Sequence, residues 1–277
     1  MINYRNPVKI FLSKILWAVR VFNKKIFSKP NIHLESSTSK QKIIRGVPIF
    51  LRPSSSDQAR LREFRQDIYS GDKKFLRYLN DNIKPTVLFD FGANIGLSSL
   101  ALCNSIPSVQ KIISVEAEKE NYGVLKKNCN IWNEVFDKSF IPVQGIISGN
   151  ENFMNQVENL QEGYSASGTF VYKKVDGCIN ESMKSITPHN LLKKFDIGNQ
   201  VIICKIDIEG GEYELFEGDT SWLENVAYLS IEIHDRFSVN SIKSSINFLK
   251  ALLKYDFAIV PSQDTLFCYN RKYKFYN

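Results

Sequence analysis

Residues Val87–Asp90 form a short apolar run that ends in an acid and passes directly into Phe91-Gly92-Ala93-Asn94-Ile95-Gly96. Gly92 and Gly96 let the backbone turn sharply and approach a ligand closely. The apolar segment Leu97–Asn104 behind the turn reads as a helix, and Ile112–Glu116 (IISVE) as the next strand. Strand, glycine turn, helix and strand form the unit of a parallel sheet that binds its ligand at the carboxyl ends of the strands. The alternation continues through helix Glu120–Asn130, strand Phe140–Ile147, helix Thr187–Phe195, strand Val201–Ile208, strand Tyr228–His234 and helix Ser241–Leu253. Phe257–Val260 and Leu266–Tyr269 read as a closing antiparallel hairpin. The fold class is α/β, a doubly wound Rossmann-like sheet.

The ends and the insert are less regular. At the helical period, Val8, Phe11, Leu12, Ile15, Val19, Phe22 and Ile26 fall on one stripe, with cations on the other side. The spacing predicts an N-terminal basic amphipathic helix over residues 7–29, suited to peripheral contact with an anionic membrane or to packing on protein. Residues 35–41 have linker composition, Lys42–Arg52 suggests a hairpin, and Arg60–Asn82 suggests a helix broken near Ser70-Gly71. Residues 148–185 look irregular, with a short strand at Thr169–Val175. The expected division is an arm over 1–34, a cap over 35–84 and the main domain over 85–277.

Net charge separates the function classes. The formal charge is +7, and the seven cations between Arg5 and Lys29 precede the first acid, Glu35. Without them, 29 basic residues face 29 acidic ones, so the body is not a uniformly basic nucleic-acid binder. The 5 cysteines are scattered, which disfavours a disulfide framework or zinc cluster and fits a reducing compartment. No uncharged apolar stretch approaches the roughly 20 residues that span a bilayer. A cytoplasmic location is expected, with the arm at the inner face of the membrane if it binds lipid.

The turn itself narrows the ligand. Its glycines are spaced G-x-x-x-G, with Asn94 where a dinucleotide loop has its middle glycine, and no lysine follows to hold a triphosphate. A nucleoside without a diphosphate is implied, with Asp90 available to a cationic amine. Glu116 closes the second strand, where a carboxylate can accept both hydrogens of a ribose diol.

Two further segments carry ionisable groups. Strand alternation in Lys205-Ile206-Asp207-Ile208-Glu209 puts the lysine and both acids on one face, and Glu232 and His234 share a face on the next strand. Such groups in apolar strands mark a functional site or a buried ion network. His234 is the favoured general base, with Asp207 and Glu209 as competitors; a structural imidazole is the competing reading. Glu212 reads as a first-turn acid on a helix dipole. Asp207, Glu209, Glu232 and His234 could hold a divalent metal, although the spacing does not require one.

DFGANIG, the stretch ISVEAEKENYGVLKKNCNIWN, and KIDIEGGEYELFEG followed by YLSIEIHD together resemble the FkbM family of class I S-adenosylmethionine-dependent methyltransferases. The resemblance covers roughly residues 87–269. It implies a seven-stranded sheet with an antiparallel last strand and methyl transfer to a hydroxyl oxygen of a sugar, glycan or glycolipid. It also implies that Asp90, Gly92, Asn94 and Gly96 line the methionine side of the cofactor and that Glu116 holds the ribose. In place of the polar residue such enzymes often carry after the third strand stands Gly145-Ile146-Ile147-Ser148, so the adenine is expected on Ile146. A non-carbohydrate natural product as acceptor, or a non-catalytic cofactor-binding module, are the alternatives. A nicotinamide oxidoreductase is disfavoured by the missing glycine, and a DNA amino-methyltransferase by DIEG where a base-holding proline turn would stand. Nothing in the sequence fixes the oligomeric state.

Overall fold

The structure is a computed structural model describing residues 39–53, 55–66, 69, 73–157, 171–175, 182–234, 241–262 and 264–273. The helix expected over 7–29 lies outside them, as does part of the 148–185 segment.

The chain enters through the hairpin β1 (Lys40–Ile44) and β2 (Val47–Leu51). Its two-residue turn has Arg45 at φ 51° and Gly46 at φ 80°, the left-handed pair that matches strand twist in a tight hairpin. Two helices follow, α1 (Asp57–Gln66) and α2 (Lys73–Tyr78), the second running into a π turn at Leu79–Ile83. The long helix expected over 60–82 is therefore divided.

The main domain then alternates as its sequence pattern requires. Its elements are β3 (Val87–Phe91), α3 (Leu97–Ser105), β4 (Lys111–Glu116), α4 (Lys119–Val135) and β5 (Ser139–Gln144). After an insert come α5 (Pro188–Lys194), β9 (Ile202–Ile206), α6 (Glu212–Glu217), β10 (Val226–Glu232), α7 (Ser241–Lys254), β11 (Phe257–Ser262) and β12 (Thr265–Asn270). The seven strands lie in the order β11-β12-β10-β9-β3-β4-β5. Neighbouring strands from β10 to β5 pair in parallel, and β12 runs antiparallel between β10 and β11. The antiparallel last strand is as the resemblance implies. All five residues of β3 and all five of β9 are buried, as expected of central strands covered on both faces.

Each face has its own core. One joins Leu88, Leu100, Leu125 and Trp132 to the hairpin and to α1 and α2; the other joins Phe89, Leu215, Trp222 and Phe248. The cap is fastened to the first of these by polar groups as well. Asn128, fully buried on α4, accepts from the Phe50 N–H at 2.6 Å and donates to the Ile95 carbonyl at 2.8 Å. Trp132 Nε1 donates to the Pro48 carbonyl at 2.9 Å. The hairpin is thereby tied to the loop that follows β3.

The insert is more ordered than its polar sequence suggests. Strands β6 (Phe153–Val157), β7 (Val171–Val175) and β8 (Met183–Lys184) form a separate antiparallel sheet in the order β7-β6-β8. The strand expected at 169–175 corresponds to β7; β6 and β8 lacked a strong alternation signal.

Candidate active site

A cavity of about 950 Å³, counting its open mouth, lies at the carboxyl ends of β3, β4 and β9. Its floor is the glycine turn after β3. Gly92 has φ 76°, and a Cβ there would stand 1.7 Å from the Asp207 carbonyl oxygen, so no other residue fits. Gly96, at φ 90°, would meet Leu125 at 2.8 Å. Asn94 takes a left-handed φ of 51°, a conformation that asparagine tolerates better than most residues. Its N–H donates to Glu116 Oε2 at 2.8 Å, while its side-chain oxygen is buried with no protein partner.

Glu116 lines the same cavity and is 8% exposed. Burial pushes its carboxyl above the ordinary range, against the pull of the N–H donors of Glu118 and Asn94. Glu118 N–H reaches Oε1 at 3.0 Å. A carboxylate oxygen has room for further donors, so the group can still take a diol. Ile146 lines the neighbouring wall. Met154 and Tyr172, delivered by β6 and β7, join it there. These two were not foreseen, because only the placement of the inserted sheet reveals which of its residues face inward.

Asp90 does not line the cavity. It is fully buried beneath the turn, where Oδ2 accepts from Ser98 Oγ at 2.6 Å and Ser99 Oγ at 2.5 Å. Its Oδ1 lies 3.6 Å from Lys205 Nζ. Direct contact with a ligand amine is thus replaced by a role in setting the loop: Lys205 Nζ also donates to the Gly92 carbonyl at 3.0 Å and to Asp207 Oδ2 at 3.3 Å. Burial alone would lower the lysine pKa, but Asp207, Asp90 and Glu232 outweigh it and hold it above its ordinary value. Lys205 is a buried cation shared by the cofactor loop and the acid cluster.

That cluster is built differently from the strand-face expectation. β9 ends at Ile206, and residues 207–211 form a turn in which Glu209 has φ 52°. A glutamate in that conformation is strained, and such strain concentrates at functional sites. Asp207 and Glu209 both line the cavity. His234, just beyond β10, stands behind them: Nε2 is 3.7 Å from Asp207 Oδ1 and 3.6 Å from Glu209 Oε2. Its Nδ1 is 2.9 Å from Glu212 Oε1, and Glu212 is fully buried. Glu212 therefore does more than favour a helix dipole; it clamps the imidazole.

The electrostatics redistribute the expected roles. Burial would lower the His234 pKa, but Glu212, Asp207 and Glu209 raise it to about 9, so the ring is an imidazolium at neutral pH. Burial works against an ionised Asp207, yet Lys205 and then His234 hold it below its ordinary value. Glu209 is pushed up by burial and by the Asp207 charge. Glu232 is pushed up to about 7 by the same two causes. Asp207, Glu232 and His234 also offer one ligand atom each within 4.8 Å of one another, an oxygen and nitrogen set that a divalent cation could use. Two cations, Lys205 and the imidazolium, already balance part of that charge.

A doubly wound sheet, a glycine turn without phosphate-binding features and a carboxylate at the end of the second strand define a nucleoside-binding enzyme fold of the methyltransferase class. The methyltransferase FkbM domain matches residues 90–258, more than half of the sequence. The chain belongs to the FkbM methyltransferase family, whose members use S-adenosylmethionine. No curated protein matches it. Among solved structures it is similar to the methyltransferase FkbM from Methylobacillus flagellatus, with 15% identity and a TM-score of 0.45, covering 67% of this chain and 44% of that one. It is also similar to the O-methyltransferase from Bacillus cereus in complex with SAH, with 12% identity and a TM-score of 0.37, covering 79% and 90%. The chain thus spans less than half the length of the Methylobacillus protein. Both scores are below 0.5, so the family assignment rests on the sequence match.

Proposed function

We propose that this protein transfers the methyl group of S-adenosylmethionine to a hydroxyl of a sugar, glycan or glycolipid acceptor. The observation that carries the reading is the sharing of one cavity by a nucleoside cradle, Asn94 and Glu116, and a pair of carboxylates, Asp207 and Glu209. The cradle fits the cofactor: an unpartnered buried amide oxygen on Asn94 awaits a donor, and Glu116 can receive the ribose hydroxyls. Ile146, Met154 and Tyr172 would border the base. When bound, the cofactor supplies an electrophilic methyl on a sulfonium.

The chain's own residues then have to orient a hydroxyl and take its proton. Glu209 suits the second task better than His234. It lines the cavity, and its raised pKa makes it a stronger base than Asp207. His234 is already protonated and does not reach the cavity wall; its charge holds Asp207 and Glu209 in place.

In this reading residues 1–34 form a basic arm that brings the enzyme to anionic membranes carrying lipid-linked acceptors. Residues 35–84 form the cap and 85–277 the transferase domain. Among the described residues no helix is long and apolar enough to cross a membrane. The test is incubation of purified protein with S-adenosylmethionine and glycan or glycolipid extracts, read by mass spectrometry as a methyl-for-hydrogen gain. Failure to bind S-adenosylhomocysteine would defeat the proposal.

A further inference from the structure

We infer that Arg60, Glu63 and Tyr69 of the cap build the acceptor subsite, and that it takes an uncharged polyol through adjacent hydroxyls, as a sugar ring presents them. The inference rests on the methyl-transfer reading above and gives its acceptor a chemical class. Arg60 and Tyr69 are the lining residues contributed from outside the segment matched by the family domain, residues 90–258. The cofactor half is therefore closed by a part of the chain that lies outside the matched family domain.

The cap presents these groups rigidly. Asp57, fully buried at the start of α1, accepts from the Arg52 N–H at 2.7 Å and from its Nη2 at 2.7 Å. Leu61 and Phe64 are buried on the helix. Arg60 and Glu63, three residues apart, share the adjoining face. Arg60 Nη1 donates to both Glu63 oxygens at 3.0 Å, and the Tyr69 hydroxyl donates to Glu63 Oε2 at 2.6 Å. Burial raises the Tyr69 pKa, so the phenol stays a neutral donor. Glu63 is occupied in fixing its two neighbours. The remaining Arg60 N–H groups, on Nε and Nη2, have no hydrogen-bond partner among the described residues.

Asp207 and Glu209 line the same cavity. The Arg60 charge favours the ionised form of each, although no hydrogen bond joins them to it. The lining thus offers donors and acceptors together. A hydroxyl can accept from Arg60 and donate to a carboxylate at once. A carboxylate or phosphate can only accept, and would face Asp207 and Glu209 as like charges. An ammonium can only donate, and would face Arg60. Neutral hydroxyls satisfy both kinds of group, and planar Arg and carboxylate groups suit pairs of them.

The test is ligand-observed NMR on the full chain saturated with S-adenosylhomocysteine, using methyl hexopyranosides, an ionised hexuronic acid, a hexose phosphate and an amino sugar as probes. The neutral glycosides are expected to bind in preference to the three charged probes. Arg60→Gln should weaken them about tenfold or more, the loss of charge-assisted hydrogen bonds, while S-adenosylhomocysteine affinity changes less than about twofold. Arg60→Lys, which keeps the charge but loses the planar fork, should weaken them as well. Tighter binding of any charged probe, unchanged glycoside affinity in both variants, or no glycoside binding to wild type would each overturn the inference. If S-adenosylhomocysteine itself fails to bind, the methyl-transfer reading falls separately, and glycoside titration of the cofactor-free protein and its variants still decides the subsite.

Discussion

His234 Nδ1 lies 2.9 Å from Glu212 Oε1, and neither residue is more than 8% exposed. A buried imidazolium gripped by a buried carboxylate holds its proton beyond neutrality. Its pKa rises from 6.5 to about 9. The stabilisation is complete below about pH 6.5 and is lost as pH climbs through about 9, because the native state then retains a proton that the unfolded chain has released. The loss is on the order of 3 kcal/mol at about 1.4 kcal/mol per pKa unit. Glu232, raised from 4.5 to about 7, acts in the same direction over a lower window. Denaturant midpoints measured from pH 6 to 10 should fall for wild type and fall less for His234→Gln. Parallel curves would refute the coupling.

Glu209→Gln should lower kcat about 100-fold or more, the scale of a lost general base, with S-adenosylhomocysteine affinity unchanged. His234→Gln, as a positioning change, should lower kcat less and shift the acid limb of the pH–rate profile. That limb reports ionisation of Glu209, which the imidazolium helps to keep charged. The opposite ranking of the two variants would return the base role to His234.

Glu116→Gln keeps the shape of the side chain but removes charge-assisted acceptance of hydroxyl donors. Calorimetry should show S-adenosylhomocysteine binding weakened by roughly 10- to 100-fold. Stability should fall by about 1–3 kcal/mol, since the single amide oxygen can accept from only one of the Asn94 and Glu118 N–H groups and leaves the other unsatisfied. Unaltered affinity would remove Glu116 from the ribose role.

Lys205→Met leaves the fully buried Asp90 and the half-buried Asp207 without the lysine cation. Breaking a buried pair in this way costs about 3–5 kcal/mol, which chemical denaturation would register. A second substitution, Asp207→Asn, should recover part of that loss by removing one unpaired charge. Additive effects in the double variant would show that the two groups are not coupled.

The sequence carried the parts of this molecule that depend on local chemistry. A run of apolar residues ending at Asp90, followed by Gly92 and Gly96, can do little other than turn beside a parallel strand, and Glu116 follows from the same unit. Glu209 lines the cavity, but the sequence placed it there for an incomplete reason: alternation was extended past Ile206, where hydrogen bonding in β9 stops and a left-handed turn takes over. Asp90 was assigned to the ligand because an acid at a strand end looks exposed; the serines of α3 that claim it are visible only in three dimensions. Tyr172, Met154, Arg60 and Tyr69 had no motif, since their places depend on how the insert and cap pack. The His234 pKa was likewise hidden, being set by three acids distant in sequence or beyond the strand.

The close approach of Gly92 to the Asp207 carbonyl, and the lysine bonded to both segments, have a mechanical consequence. The loop after β3 and the turn after β9 have no slack between them, so they form a single stiff block. In the proposed reaction, any shift of the methyl donor's seat would carry the proposed proton acceptor with it.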